Sequence, residues 1–466
     1  MDNCRRSKTW KTFHDFLFEY IKHLLTPEWG QPESAKPALE QHPLIRWIKQ
    51  IADFRNAATN KNKLGIYTGT MTGVIRAYLG LAYELYLCAH NAETQELLLK
   101  RLRKKGSFEG ALYEAYVIGI LARAGFKIDF EDEGDPKSSH CEFTATHLQT
   151  GKKFSVEVKA IGSESSRAGK SQQPPRVRHK LTEALSKKAA HERIVFIELN
   201  RDEDINGEAA PPWEADVLKE LRQAEKDMMI DGNPAPPAYV FMTNRGFMHA
   251  FDKTAWAEFA ILDGFRIADF PIGRGVSNIF DTHRAREKHI EVYWLQRAML
   301  AHQGIPSTFD DRTPAEAFAD EPVNRIRIGD VHLVPDGSGA DVPGVFLGGI
   351  VDGGNGKALG QYRLPDGGHV FVSITLSATD LEIYKSAPDT FFETVTNVGG
   401  GLKTPLDCFD FVAETYMKTP RSTLLEWMNG YSNFDDLQKL SDKDLAEYFC
   451  AQMATSIWLT VNKQRR

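Results

Sequence analysis

One turn constrains this chain more than any other feature. Thr150-Gly151 separates two runs of alternating character, Cys141–His147 and Phe154–Ile161, the pattern of an antiparallel hairpin with one dry face. A pairing axis between Gln149 and Thr150 sets Phe143 opposite Val156 and Ala145 opposite Phe154, a face suited to a core. The same register sets Glu142 opposite Glu157 on the other face, with Lys159 two residues further along it; a bulge at Gly151 would shift the pairing by about one residue. Opposed carboxylates repel unless a cation lies between them. The hairpin therefore points to a divalent ion, and carboxylate oxygens suit Mg2+ or Mn2+.

Around the hairpin the chain predicts a long helix from Ser107, a strand at Phe126–Phe130, a helix at about 177–190, a strand at Arg193–Asn200, a helix near 213–229 and a strand at Ala238–Thr243. This αβββαβ order, extended by a further helix and strand, fits a layered α/β sandwich. Helices are expected at about 252–260 and 283–302. Upstream, Trp10, Phe13, Phe16, Leu17, Tyr20, Ile21, Leu24 and Leu25 recur at steps of three and four, an amphipathic helix ended by Pro27. Further helices are expected at 43–54, 70–89 and 92–105. After Pro306 come Gly- and Asp-rich segments with strands at 324–334, 344–351, 359–364 and 369–376, Pro365-Asp366-Gly367-Gly368 turning between the last two. Residues 404–465 return to helical spacing.

At 466 residues the chain exceeds one hydrophobic core. The expected layout is a helical domain over 1–106, an α/β domain over 107–250, a helical extension over 251–304, a β-rich domain over 305–403 and a helical region over 404–466. With 42% hydrophobic and 26% charged residues the composition is that of a folded protein. The apolar stretch Met71–Cys88 holds Arg76 and Glu84, which argues against a membrane span. The start shows no apolar leader, so a cytoplasmic location is expected. Five scattered cysteines without a Cys-x-x-Cys pair read as reduced packing residues. A net charge of -6 means that any nucleic-acid surface is local. The glycines at 348–349, 353–354 and 399–401 lack the setting of a phosphate-binding loop and read as turns.

Tyr113-Glu114, Val117, Ile120-Leu121 and Gly125-Phe126, followed by Glu142 and then Glu157-Val158-Lys159, resemble the restriction-endonuclease-like superfamily of PD-(D/E)XK nucleases, most closely the type IV restriction nuclease domains. The resemblance covers about 107–245 and departs at Cys141-Glu142, where the family carries Pro-Asp. It implies a metal-dependent DNA endonuclease in which Glu142 and Glu157 bind the metal, Glu114 supports it and Lys159 assists the attacking water. A role against foreign DNA follows from fold-level analogy alone.

Bland readings stand beside these. Glu157 and Lys159 also fit an exposed strand-face pair, Glu114 a solvated helix residue with Glu109 in its place, and His140 and Cys141 a surface histidine and a packed thiol. The acidic run Glu131–Asp135 reads as a solvated loop. Basic residues cluster at Lys100, Arg101, Arg103, Lys104 and Lys105 and again at Arg167, Lys170, Arg176, Arg178 and Lys180; of these, Lys104, Lys105 and the second group are candidates for phosphate contacts. Residues 162–175 read as a polar loop beside the site. The helical ends offer surfaces for a second copy or a partner protein. Two further readings remain: a catalytically silent nuclease-fold module that binds nucleic acid or protein, and a nuclease held inactive until its C-terminal β-rich part senses a ligand.

Overall fold

The computed structural model describes residues 10–57, 69–91, 96–130, 141–162, 176–202, 213–254, 258–267, 279–301, 304–308, 328–336, 339–386 and 405–464, with residues 211, 256, 270, 326, 391 and 392 besides. The chain forms two compact units, Met1–Ile272 with Lys288–Pro306, and Gly273–Glu287 with Ser307–Arg466.

In the first unit helices α1 (Phe13–Leu25), α2 (Pro27–Ala35), α3 (Pro43–Ala57), α4 (Gly73–Asn91) and α5 (Glu96–Leu102) lead to α6 (Phe108–Arg123). Thr12 and Asp15 start α1 as a reciprocal capping box, and of its predicted stripe Phe13, Phe16, Leu17, Tyr20, Ile21 and Leu25 are buried, with Leu24 half-buried. Helix α6 is buried on all sides from Ala111 to Leu121, as befits a helix between a sheet and other helices.

The sheet follows. Strands β1 (Phe126–Phe130), β2 (Phe143–His147) and β3 (Lys153–Ala160) form an antiparallel meander. Helix α7 (Val177–Leu185) carries the chain to β4 (Glu192–Glu198), parallel to β3. Helix α8 (Glu214–Asp227) and the short hairpin β5 (Met229–Ile230) and β6 (Asn233–Pro234) lead to β7 (Ala238–Arg245), parallel to β4. Parallel neighbours require such crossovers, and the near-continuous apolar runs of β4 and β7 suit strands covered on both faces. Phe143, Phe154, Val156, Phe196 and Phe241 share one core with α4 and α6, while Val195, Ile197, Val240 and Met242 share the other with α7 and α8.

Where a helix was expected over about 252–260, residues Glu258–Phe265 form β8, antiparallel to β7 at the edge of the sheet, whose order is β1-β2-β3-β4-β7-β8. Phe259 and Ile261 pack toward one core and Leu262 toward the other, so a period of two prevails in a segment whose composition suits either structure. The helices of residues 13–102 and the sheet share a single core, and they fall in one unit.

In the second unit, α9 (Ile279–Lys288) contributes its residues up to Glu287, while α10 (Ile290–Ala301) belongs to the first. Strands β9 (Val331–Pro335), β10 (Asp341–Asp352), β11 (Lys357–Arg363) and β12 (His369–Thr375) form an antiparallel sheet in the order β12-β11-β10-β9. The turn foreseen at 365–368 closes with Leu364 N–H donating to Gly368 O at 2.8 Å, and Gly367 supplies the φ of +86° it needs. Helices α11 (Ala378–Ser386), α12 (Pro405–Tyr416), α13 (Arg421–Trp427), α14 (Phe434–Leu437) and α15 (Asp442–Gln464) follow, and Ile279 of α9 is buried with Cys408, Phe409 and Cys450. The cysteines at 88, 141, 408 and 450 are free and buried. Among the described residues no helix is long and apolar enough to cross a membrane.

Candidate active site

The hairpin register is the expected one where the ladder is formed: Phe143 pairs with Val156 and Ala145 with Phe154. Gly151, at φ +70°, turns the chain and donates its N–H to His147 O at 2.8 Å. Glu142 departs from the expectation. The ladder begins at Phe143, and the Glu142 amide donates to the carbonyl of Val156 at 3.1 Å, one residue short of facing Glu157. The side chains differ accordingly, Glu142 being 25% exposed and Glu157 2%.

Glu157 and Lys159 alternate with the core-facing Val156 on β3, so they share the opposite face. Their partners on β4, Val195 and Ile197, belong to the core under α7 and α8. Lys159 Nζ lies 2.5 Å from Glu157 Oε1. The Lys159 ammonium sits close against Oε1 as an ion pair, while Oε2 of Glu157 is buried with no hydrogen-bond partner among the described residues. A buried carboxylate ordinarily collects donors, because an unsatisfied one forfeits its hydration without return.

Burial pushes the Glu157 carboxyl above its ordinary value; Lys159 opposes that shift and the charge of Glu142 adds to it. At Lys159 burial acts against the ammonium, but Glu157, Glu142 and Glu183 outweigh it and hold the group above its ordinary value. Both groups therefore retain protons more firmly than in water. Lys159 is an ammonium at neutral pH, suited to stabilising negative charge and unsuited to act as a base. Sequence reasoning did not single out Glu183, which α7 brings near Lys159; the missing signal is tertiary, since 24 residues separate it from the strand.

Glu114 lies on α6 and is buried, whereas Glu109 is exposed, so of the two only Glu114 enters the interior. Its Oε1 is 2.6 Å from Arg101 Nη2, and Arg101 Nη1 is 3.8 Å from Glu142 Oε2. Arg101, one member of a basic run, is thus the link between the two acidic residues.

The other basic candidates are placed unevenly. Arg167 and Lys170 lie outside the described residues, as do His140, the acidic run 131–135 and most of the 162–175 loop. Lys104 and Arg176 are exposed. Lys105 Nζ donates to Leu39 O at 3.2 Å, Arg178 Nη1 donates to Asp227 Oδ1 at 2.6 Å, and Lys180 Nζ donates to Glu183 Oε2 at 2.9 Å. The last two pairings tie α7 to α8 and to itself. Cys141 is buried with its thiol directed at Lys188 O, 3.5 Å away, the position of a packing residue.

Among the described residues no group of three or more His, Cys, Asp or Glu side chains converges as a metal site. Glu142 and Glu157 are two carboxylates, a donor set that fits a hard cation which keeps several of its waters, and the buried Oε2 of Glu157, without a hydrogen-bond partner among the described residues, fits such a group. No family model, curated protein or solved structure matches the chain.

Proposed function

We propose that the first unit is a restriction-endonuclease-like nuclease that hydrolyses phosphodiester bonds of DNA with Mg2+ or Mn2+. One observation carries the reading: Glu157 is a buried carboxylate whose Oε2 has no hydrogen-bond partner among the described residues, beside a charged lysine and under the influence of a second carboxylate, Glu142. Glu142 and Glu157 would hold the cation, which supplies charge neutralisation at the phosphate and an activated water. Lys159 places a fixed positive charge where negative charge grows in the transition state. Glu142, the more exposed of the acids, forms the open side of the site, and Glu157 forms its floor.

The test is incubation with plasmid, linear and single-stranded DNA and with RNA, in Mg2+, Mn2+ or EDTA, beside a Glu157→Ala variant. Metal-dependent cleavage that the variant lacks is expected; cleavage unchanged by the variant, or absent on every substrate with either metal, sinks the reading.

A second reading, a silent module that binds nucleic acid, is favoured by the approach of Lys159 to Glu157, since the ammonium already supplies a counter-charge. Calorimetric titration with Mn2+ separates the two. A nuclease binds the ion through Glu157, and a silent module with this internal pair does not.

A further inference from the structure

We propose that the outer face of the four-stranded sheet in the second unit is the surface on which two copies of this chain pair; the inference stands independently of the nuclease reading. Side chains alternate along a strand, so each of β9 to β12 turns one set toward the core and the other outward. Inward, Val334, Phe346, Ala358 and Tyr362 are buried in one cluster. The outward face of an antiparallel sheet that meets water is ordinarily polar. Here it carries Val331, Leu333, Ile350, Leu359 and Phe371, which are 64%, 72%, 66%, 48% and 62% exposed.

The strand register gathers these side chains. Ile350 pairs with Leu359, and Phe371 lies two positions from Ser373, the other partner of Leu359, so the three form a diagonal across β10, β11 and β12. Val331 pairs with Val345 and Leu333 with Pro343, which extends the apolar surface over β9 and the first half of β10. At roughly 100 Å2 each they present about 500 Å2 of apolar surface, toward the upper end of what one patch on a monomer shows. Interfaces are about 60% apolar, so a patch of this extent belongs to a contact of about 800 Å2 on each side, the share of each partner in a stable dimer.

The charges around the patch select the occupant. On the described strands of this sheet the exposed carboxylates, lysines and arginines are Asp341 and Arg363 toward one end, and Asp352 and Lys357 at the other. Each end thus holds one acid and one base. A second copy related by a two-fold axis presents the same balanced set, so its acids find bases and neither sign is in excess. A nucleic acid asks for a surplus of Lys and Arg that this face lacks. Two such sheets pack face to face about 10 Å apart, with their apolar side chains interdigitated as in a sandwich.

The test uses the full chain in analytical ultracentrifugation over a concentration series. Interfaces of this size hold in the micromolar range or tighter, so at about 50 μM the wild type is expected to sediment at twice the chain mass. Ile350→Lys with Phe371→Lys puts unpaired ammonium groups into the contact and should weaken the dimer by about 100-fold or more. Leu333→Thr with Ile350→Thr removes apolar area while keeping residues that suit a strand, and should weaken it by about tenfold or more. Circular dichroism and melting temperature show that each variant is folded; where the lysine variant is not, the threonine variant decides. Leu39→Lys and Leu148→Lys, at positions 88% and 68% exposed in the first unit, should leave the dimer unchanged. A wild type that stays monomeric at about 50 μM overturns the proposal and gives the face to a different protein, a lipid surface or another segment of this chain. A dimer that survives in both face variants overturns it as well, and so does an equal loss of dimer in the first-unit controls.

Discussion

Two glutamates on neighbouring strands have the same exposure and opposite surroundings. Glu198, at the end of β4, and Glu157, on β3, are each 2% exposed. Glu198 Oε2 accepts from Thr243 Oγ1 at 2.6 Å, Oε1 accepts from the Arg245 amide at 3.0 Å, and the Arg245 guanidinium pairs with it at 3.3 Å. Thr243 is bonded in turn to Tyr113 of α6 at 2.7 Å, and Arg245 stacks over the rings of Tyr113 and Tyr116, 5.0 Å from each centroid. Glu157 has Lys159 close against Oε1, and its Oε2 has no hydrogen-bond partner among the described residues. The fold is able to satisfy a buried acid fully and does so for Glu198, one strand away. One oxygen of Glu157 left without a donor is what the proposed metal site would use.

The comparison breaks first at the alanine variants. Glu157→Ala should remove cleavage by a factor of about 10^3 or more and abolish Mn2+ binding without unfolding the protein, whereas Glu198→Ala should lower stability by about 3–5 kcal/mol by stranding Arg245. Chemical denaturation beside a cleavage assay reads both. Equal destabilisation by the two variants would erase the distinction.

Lys159→Ala comes next. Cleavage should fall by about 10^2 to 10^3, the scale of losing one electrostatic partner of the transition state, while Mn2+ binding stays measurable, because removing the ammonium relieves repulsion of the cation. Wild-type cutting by this variant would show that the lysine has no part in the chemistry.

Thr243→Val sharpens the structural side. It removes a donor from Glu198 and a partner from Tyr113, and a loss of about 1–3 kcal/mol is expected in the denaturation midpoint. No change would mean that the two remaining contacts suffice for Glu198.

The smallest effect is a gain. Because the Glu157 carboxyl is raised in the folded state, its contribution to stability is full below the unfolded value and is lost as pH rises through the folded one. Glu157→Gln should therefore raise the melting temperature of the metal-free protein by a few degrees at neutral pH, with the gain vanishing in acid below the ordinary carboxyl range. Lys159 keeps Glu142 and Glu183 as counter-charges in this variant. A lower melting temperature at neutral pH would show that the ion pair with Lys159 outweighs burial.

Much of this contrast was unequally legible in the sequence. The pairing of Phe143 with Val156 could be read because a turn and a period of two fix a register locally, and the shared face of Glu157 and Lys159 follows from it. The offset of Glu142 could not, since it arises where the ladder ends and backbone hydrogen bonding departs from simple alternation. Where a helix was expected over about 252–260, residues 258–260 open strand β8, because its partner, β7, decides its structure. The Arg101 link and the Glu198 cluster join residues 13 and 45 positions apart in sequence, and no periodic pattern announces such pairs.

The path of the chain between the units has a further consequence. Residues 273–287 belong to the second unit, yet the chain returns to the first for 288–306 before the rest of the second is made. During synthesis Ile279 of α9 leaves the ribosome more than a hundred residues ahead of Cys408, Phe409 and Cys450, the residues that bury it. For that interval Ile279 and Phe280 of α9 stand uncovered, open to proteases and to wrong partners. A truncation after residue 306 makes that interval permanent, so the shortest fragment expected to behave as the whole protein does must retain the C-terminal helices.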